Sequence, residues 1–105
     1  MRRLIAAGLL LLTSTALAGE TTSMTATDPH PYIGMWVTED GRIRHELRAD
    51  GRYVEARGSR EAAYQGRYTI TGDHIDYVDD TGFTADGDFI DGVLYHAGMI
   101  LYRRP

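Results

Sequence analysis

The run RIRHELR, residues 42–48, places an imidazole at position 45 between Ile43 and Leu47 and flanks it with Arg44 and Glu46. In an extended segment, positions i and i+2 share a face. Arg42, Arg44, Glu46 and Arg48 then meet water, and His45 turns inward with the two aliphatic residues. An inward imidazole needs partners for its ring nitrogens and is able to donate, accept, carry a proton or hold a metal. The same rule puts Trp36, Tyr64, Tyr68 and Tyr77 on inner faces. In RYVEAR, residues 52–57, either Tyr53, Glu55 and Arg57 point inward or Val54 and Ala56 do. An interior with this many hydroxyls satisfies them internally, holds water or surrounds a polar ligand. The candidate ligand-binding set is therefore Trp36, His45, Tyr53, Glu55, Arg57, Tyr64, Tyr68 and Tyr77. Trp36 is its floor, the tyrosines are its walls, and His45, Glu55 and Arg57 orient a small polar or heterocyclic molecule.

Other chemistry finds less support in the residues. His74 and His96 would have to join His45 to hold a metal, and none of the three shows the i, i+2 or i, i+4 spacing of an imidazole site. No metal site and no cofactor is expected. Residues 79–92 carry five aspartates, but no glutamate closes an EF-hand loop and Asp-Gly pairs have their own role in turns. Arg57, Ser59 and Arg60 around Gly58 form either an anion-gripping lid or a solvated connection paired with Glu55 and Glu61, and surface charges favour the second. Neither Ser23 nor Ser59 sits in a nucleophile-elbow context. A His45–Glu55 acid–base pair across adjacent strands is geometrically allowed, yet nothing in the spacing marks it, so no catalytic residue is assigned.

The elements that carry these residues are short strands. After Pro31 the pattern has period two and is cut by glycine: YIGMWVT, RIRHELR, RYVEAR, AYQGRYTIT, HIDYVDD, FTADGDFI and VLYHAGMILYRR. Asp-Gly pairs between alternating runs are hairpin signals, because glycine takes the positive φ of a tight turn. No window shows a sustained 3.6-residue repeat, which predicts no substantial helix after the leader. Phe83, Ala85 and Phe89 are expected inward on the sixth strand. In the last run either Tyr95, Ala97, Met99, Leu101 and Arg103 face in or Leu94, His96, Ile100 and Tyr102 do, unless a bulge at Gly98 switches sides. Seven or eight such strands predict an all-β, single, up-and-down antiparallel barrel, since closure removes exposed edges.

The ends and the composition set the context. Arg2 and Arg3, the apolar run Leu4–Leu12 and the site Ala16-Leu17-Ala18 read as a signal peptide over residues 1–18. Residues 19–31 read as a flexible polar leader with an exposed His30, and residues 32–105 as the barrel domain. Export to the periplasm or the medium follows. Without Arg2 and Arg3 the net charge moves from −4 to −6, the wrong sign for nucleic acid or an anionic membrane. There is no cysteine, so neither disulfides nor thiol chemistry is available. Every basic residue is arginine, which suits lateral ion pairs or a gripped anion. The expected partner is a small molecule. The alternative is an interaction or assembly module, a filled barrel with an outer patch of Val54, Val78 and Ile90 that docks a partner or supports weak homo-oligomerisation.

Several strings resemble known barrels. Gly34-Met35-Trp36 near the start and Leu101-Tyr102-Arg103 near the end resemble the lipocalin and streptavidin-like proteins, in which the tryptophan closes one end and a late arginine packs over it. The longer set GMWVTxDGxIRHEL, YxEARGSR, YQGRY, TGDHIDY, DDTGFTADGDFIDG and LYHAGM resembles a small bacterial family of unknown function. The resemblance spans residues 30–104. It implies a streptavidin-like antiparallel barrel and a role in small-ligand binding, with no catalytic set to carry over.

Overall fold

The computed structural model describes residues 30–105. Eight strands follow one another: β1 (Gly34–Thr38), β2 (Ile43–Leu47), β3 (Arg52–Arg57), β4 (Arg60–Thr71), β5 (His74–Asp79), β6 (Thr84–Ile90), β7 (Val93–His96) and β8 (Met99–Arg104). Each pairs antiparallel with the next, and β8 returns to β1, so the sheet closes as an up-and-down barrel. No helix occurs among the described residues. Alternation explains the closure. Every strand has one apolar or aromatic face, and rolling the sheet buries all those faces together while leaving no unpaired edge.

The predicted last strand is in fact a hairpin. Ala97 and Gly98 both have positive φ, 52° and 77°, as a two-residue turn with matching strand twist requires. Alanine there costs roughly 1–2 kcal/mol against a right-handed conformation, which is why Ala-Gly does not read as a turn. Its consequence is that inward-facing positions change phase. Leu94 and His96 are buried on β7, whereas Leu101 is buried on β8. On β3 the choice falls to Tyr53 and Glu55, with a register shift between Glu55 and Arg57.

One end of the barrel is plugged. The core packs Trp36, Leu47, Tyr68, Ile75, Phe89, Leu94 and Leu101 with Tyr53 and Tyr77. At the end where the chain enters and leaves, Tyr32 stacks on Phe89 with ring centroids 3.7 Å apart. Trp36 Nε1–H donates to the Tyr32 carbonyl at 2.9 Å. Arg103 lies over the Trp36 ring at 4.6 Å and donates to the carbonyls of Ile33 and Pro31. The leader's last residue before Pro31 is therefore anchored rather than exposed as expected. His30 meets the Tyr68 hydroxyl at 2.9 Å and accepts the Tyr32 N–H. Phe83 also departs from expectation. It stands 74% exposed in the turn before β6, Ala85 is exposed at the mouth as well, and of the three only Phe89 is buried. The predicted signal peptide, residues 1–18, and most of the leader lie outside the described residues.

Candidate functional site

The other end is open. There the turns 39–42, 58–59, 80–83 and 97–98 lie at the barrel mouth, and a cup of about 340 Å³ opens between residues of β3, β4, β6 and β7. Its lining includes Tyr53, Glu55, Arg57 and Tyr64, all four in the candidate set, together with Phe83 and His96. Below them, His45 and Tyr77 form the layer beneath the cup. Trp36 and Tyr68 do not reach it, because their side chains belong to the plug. Trp36 is thus a floor of the barrel but not of the cavity. A wider depression of about 570 Å³ lies at the same end, beside Thr38, Arg42 and Ile100. No buried charged group lines it, so the smaller cup is the chemically organised one.

His45 is fully buried, as the alternation of RIRHELR requires. Its Nδ1 meets the Tyr77 hydroxyl at 2.9 Å. Its Nε2 lies 3.3 Å from Glu55 Oε1, but the two are not aligned for a hydrogen bond, and Nε2 has no partner. Strand pairing places this contact, since His45 and Glu55 face each other across β2 and β3. The second Glu55 oxygen, Oε2, accepts from Arg57 Nε at 2.5 Å. Arg57 is itself spread over the Tyr64 ring at 5.1 Å, so the rim aromatic positions the guanidinium. Burial pushes the Glu55 carboxyl up, but the His45 ring and the Arg57 guanidinium outweigh it and hold the group at about 2. Glu55 is a carboxylate at any ordinary pH. Tyr53, beside it, is pushed up to about 12, first by burial and then by the charges of Asp79 and Glu55.

His96 completes the floor and was not in the candidate set. Its ring lies 5.0 Å from that of His45 and 5.1 Å from that of Tyr77. Nδ1 lies 2.8 Å from the Asp86 carbonyl oxygen. A carbonyl only accepts, so Nδ1 carries the proton and a neutral ring leaves Nε2 with its lone pair free. Burial lowers the His96 pKa further, which favours that neutral ring. The sequence offers no spacing that reveals the pair. Strands β2 and β7 are not neighbours in the sheet, and the two imidazoles meet across the lumen.

The aspartate-rich segment 79–92 works as turn and flank. Asp79 Oδ1 accepts from the N–H groups of Thr81 and Phe83 and from the Thr81 hydroxyl, which fixes the loop carrying Phe83 to the cup. Asp80 pairs with both terminal nitrogens of Arg52, and Asp88 meets His74 at 2.8 Å. On the outside, Val54, Val78 and Ile90 do not make the single patch expected of them. Val54 and Val78 sit on β3 and β5 with β4 between them, and Ile90 lies towards the plugged end of β6.

Comparison with known proteins agrees with this architecture. No curated protein matches the chain. Among solved structures, the solution structure of the protein Atu4866 from Agrobacterium tumefaciens matches with 64% sequence identity and a TM-score of 0.65, over 72% of this chain and 98% of that one. The family model described as Agrobacterium tumefaciens protein Atu4866 matches residues 29–103. The chain therefore belongs to the Atu4866 family, the small bacterial β-barrel family that its sequence strings resemble.

Proposed function

We propose that the protein binds a small polar, heterocyclic molecule in the cup at the barrel mouth, without converting it chemically. The observation that carries this reading is a buried charged floor beneath an exposed aromatic rim. Glu55 is 5% exposed while Phe83 is 74% and Tyr64 is 40% exposed, and all three line one cavity. A carboxylate held in such a place costs desolvation that a purely structural barrel avoids. The cup is near the lower end of ligand pockets, which run from about 300 Å³ upward, so a ligand of one or two rings fits. Glu55 would accept its N–H groups, Arg57 would donate to an oxygen, and Phe83 and Tyr64 would stack on its faces. The basic start, apolar run and Ala16-Leu17-Ala18 support export, so the ligand would be met in the periplasm or the medium.

The test is amide chemical-shift mapping on ¹⁵N-labelled protein against a library of small heterocycles. Binding moves the amides of Arg57, Tyr64, Phe83 and Ala97 and leaves Arg103 at the plugged end unchanged. Phe83→Ala weakens binding about fivefold, as the loss of one stacking contact implies. A library that moves no mouth amide, or moves only those of the plug, removes the proposal. Trp36 fluorescence is a poor reporter here, because that ring is sealed under Arg103 and away from the cup.

A further inference from the structure

We propose that His45, Glu55 and His96 form a binding site for a single divalent transition metal of the zinc class at the floor of the cup. Each of the three residues offers one donor atom, and these atoms all lie within 4.8 Å of one another. Two imidazoles and one carboxylate are a recurrent zinc donor set, and three protein ligands leave a position open for an outside ligand. One pair, His45 Nε2 and Glu55 Oε1, is 3.3 Å apart. Two donors each about 2.1 Å from a tetrahedral ion stand about 3.4 Å apart, so this edge already has the required length.

Two further observations point to an ion. His45 Nε2 is fully buried, aimed into the cluster and without a hydrogen-bond partner. Second, every ligand is held through its far atom. The Tyr77 hydroxyl holds His45 Nδ1, the Asp86 carbonyl holds His96 Nδ1, and Arg57 holds Glu55 Oε2. Outer partners of this kind set the tautomer and aim the coordinating atom of metal ligands. By contrast, His74, Asp76 and Asp86 also lie close together, but on the outer face, with both aspartates exposed and His74 already paired with Asp88.

The open position of the ion faces the cup. A divalent charge beside Arg57 outweighs the one carboxylate and suits an anionic or lone-pair donor on the organic ligand; this last point alone rests on the function proposed above. Metal binding itself does not, and it is tested without any organic ligand.

The test uses tag-free, chelator-treated protein titrated with Zn²⁺ and with Co²⁺. Stoichiometry is read by native mass spectrometry, and coordination by the visible absorption of cobalt. A single tight equivalent with an intense low-coordinate cobalt spectrum is expected. Glu55→Gln and His96→Ala each weaken it by at least about tenfold, the smallest loss typical even of outer partners, while His74→Ala leaves it unchanged. Should a variant fail to fold, long-range ¹H–¹⁵N spectra of the wild-type imidazoles decide the matter, with zinc shifting Nε2 of His45 and His96 and sparing His74. No binding at stoichiometric protein, binding that His74→Ala abolishes, or imidazole shifts confined to His74 would each overturn the site.

Discussion

Gly66→Ala tests how the barrel is closed beside the cup. Gly66 is buried in β4, opposite Tyr53 on β3 and Asp79 on β5. A Cβ at this position would stand 2.1 Å from the Val78 carbonyl oxygen, 2.5 Å from Asp79 Cα and 2.9 Å from Val78 C. Carbon–oxygen contacts of this kind ordinarily begin near 3.3 Å, so the two strands must part by roughly 1 Å. All three obstacles are backbone, and none rotates away. Inserting a methyl into a packed site costs about 1–3 kcal/mol when side chains can yield. Here they cannot, and about 3 kcal/mol is expected. The lower unfolded-state entropy of alanine offsets at most about 1 kcal/mol of this. Such a loss is a large part of the 5–15 kcal/mol that stabilises a small domain. Urea unfolding followed by Trp36 fluorescence reads it as a midpoint lowered by about 2–3 M, for a slope near 1 kcal/mol/M. Gly98→Ala is the control. Gly98 has φ 77° with nothing within 4 Å of its Cβ position, so only backbone strain of about 1–2 kcal/mol applies. If Gly66→Ala destabilises no more than Gly98→Ala, the β4 and β5 backbones do not meet at Gly66 and the close approach is refuted.

Arg103→Ala removes a guanidinium from the Trp36 face and two donors from the carbonyls of Pro31 and Ile33, which should cost about 2 kcal/mol and red-shift Trp36 emission. Arg103→Lys should not restore the loss, since a point charge lacks the planar fork that spans both carbonyls; recovery to wild-type stability would argue against the plug. His74 has its pKa raised, chiefly by the Asp88 hydrogen bond and further by the charges of Asp76 and Asp88. Its contribution is therefore fully present below pH 6.5 and is lost as pH rises through the folded-state value. His74→Gln should flatten that limb of the stability–pH profile, and an NMR titration placing the His74 pKa at or below 6.5 would contradict the pairing.

The route from sequence to site was partly local. Glycine turns at residues 41, 51 and 92 and the two-residue alternation of RIRHELR are local features, and they suffice for strands, meander and the inward turn of His45. The prediction of seven or eight strands left one hairpin unresolved, because Ala97 adopts a backbone conformation its side chain disfavours. That turn decides the phase of β7, and the phase of β7 decides that His96 faces the lumen. Tyr53, Glu55 and Arg57 are legible only as one of two possible inner faces of RYVEAR, and pairing with β4 sets Tyr64 opposite Glu55. Trp36 and Tyr68 carry the same inward signal but belong to the plug, and alternation reports which way a side chain faces, not at what height along the axis it sits.

Face and polarity are thus properties the chain writes residue by residue: period-two patterning determined an all-β barrel with a polar aromatic lining and a buried His45. Which of those inner residues meet was decided by closure alone. Rolling the sheet brings β2 and β7 face to face across the lumen, although neither pairs with the other, and sets His45 beside His96. Contacts across a barrel depend on strand tilt and register summed around the whole ring, a quantity no stretch of sequence contains.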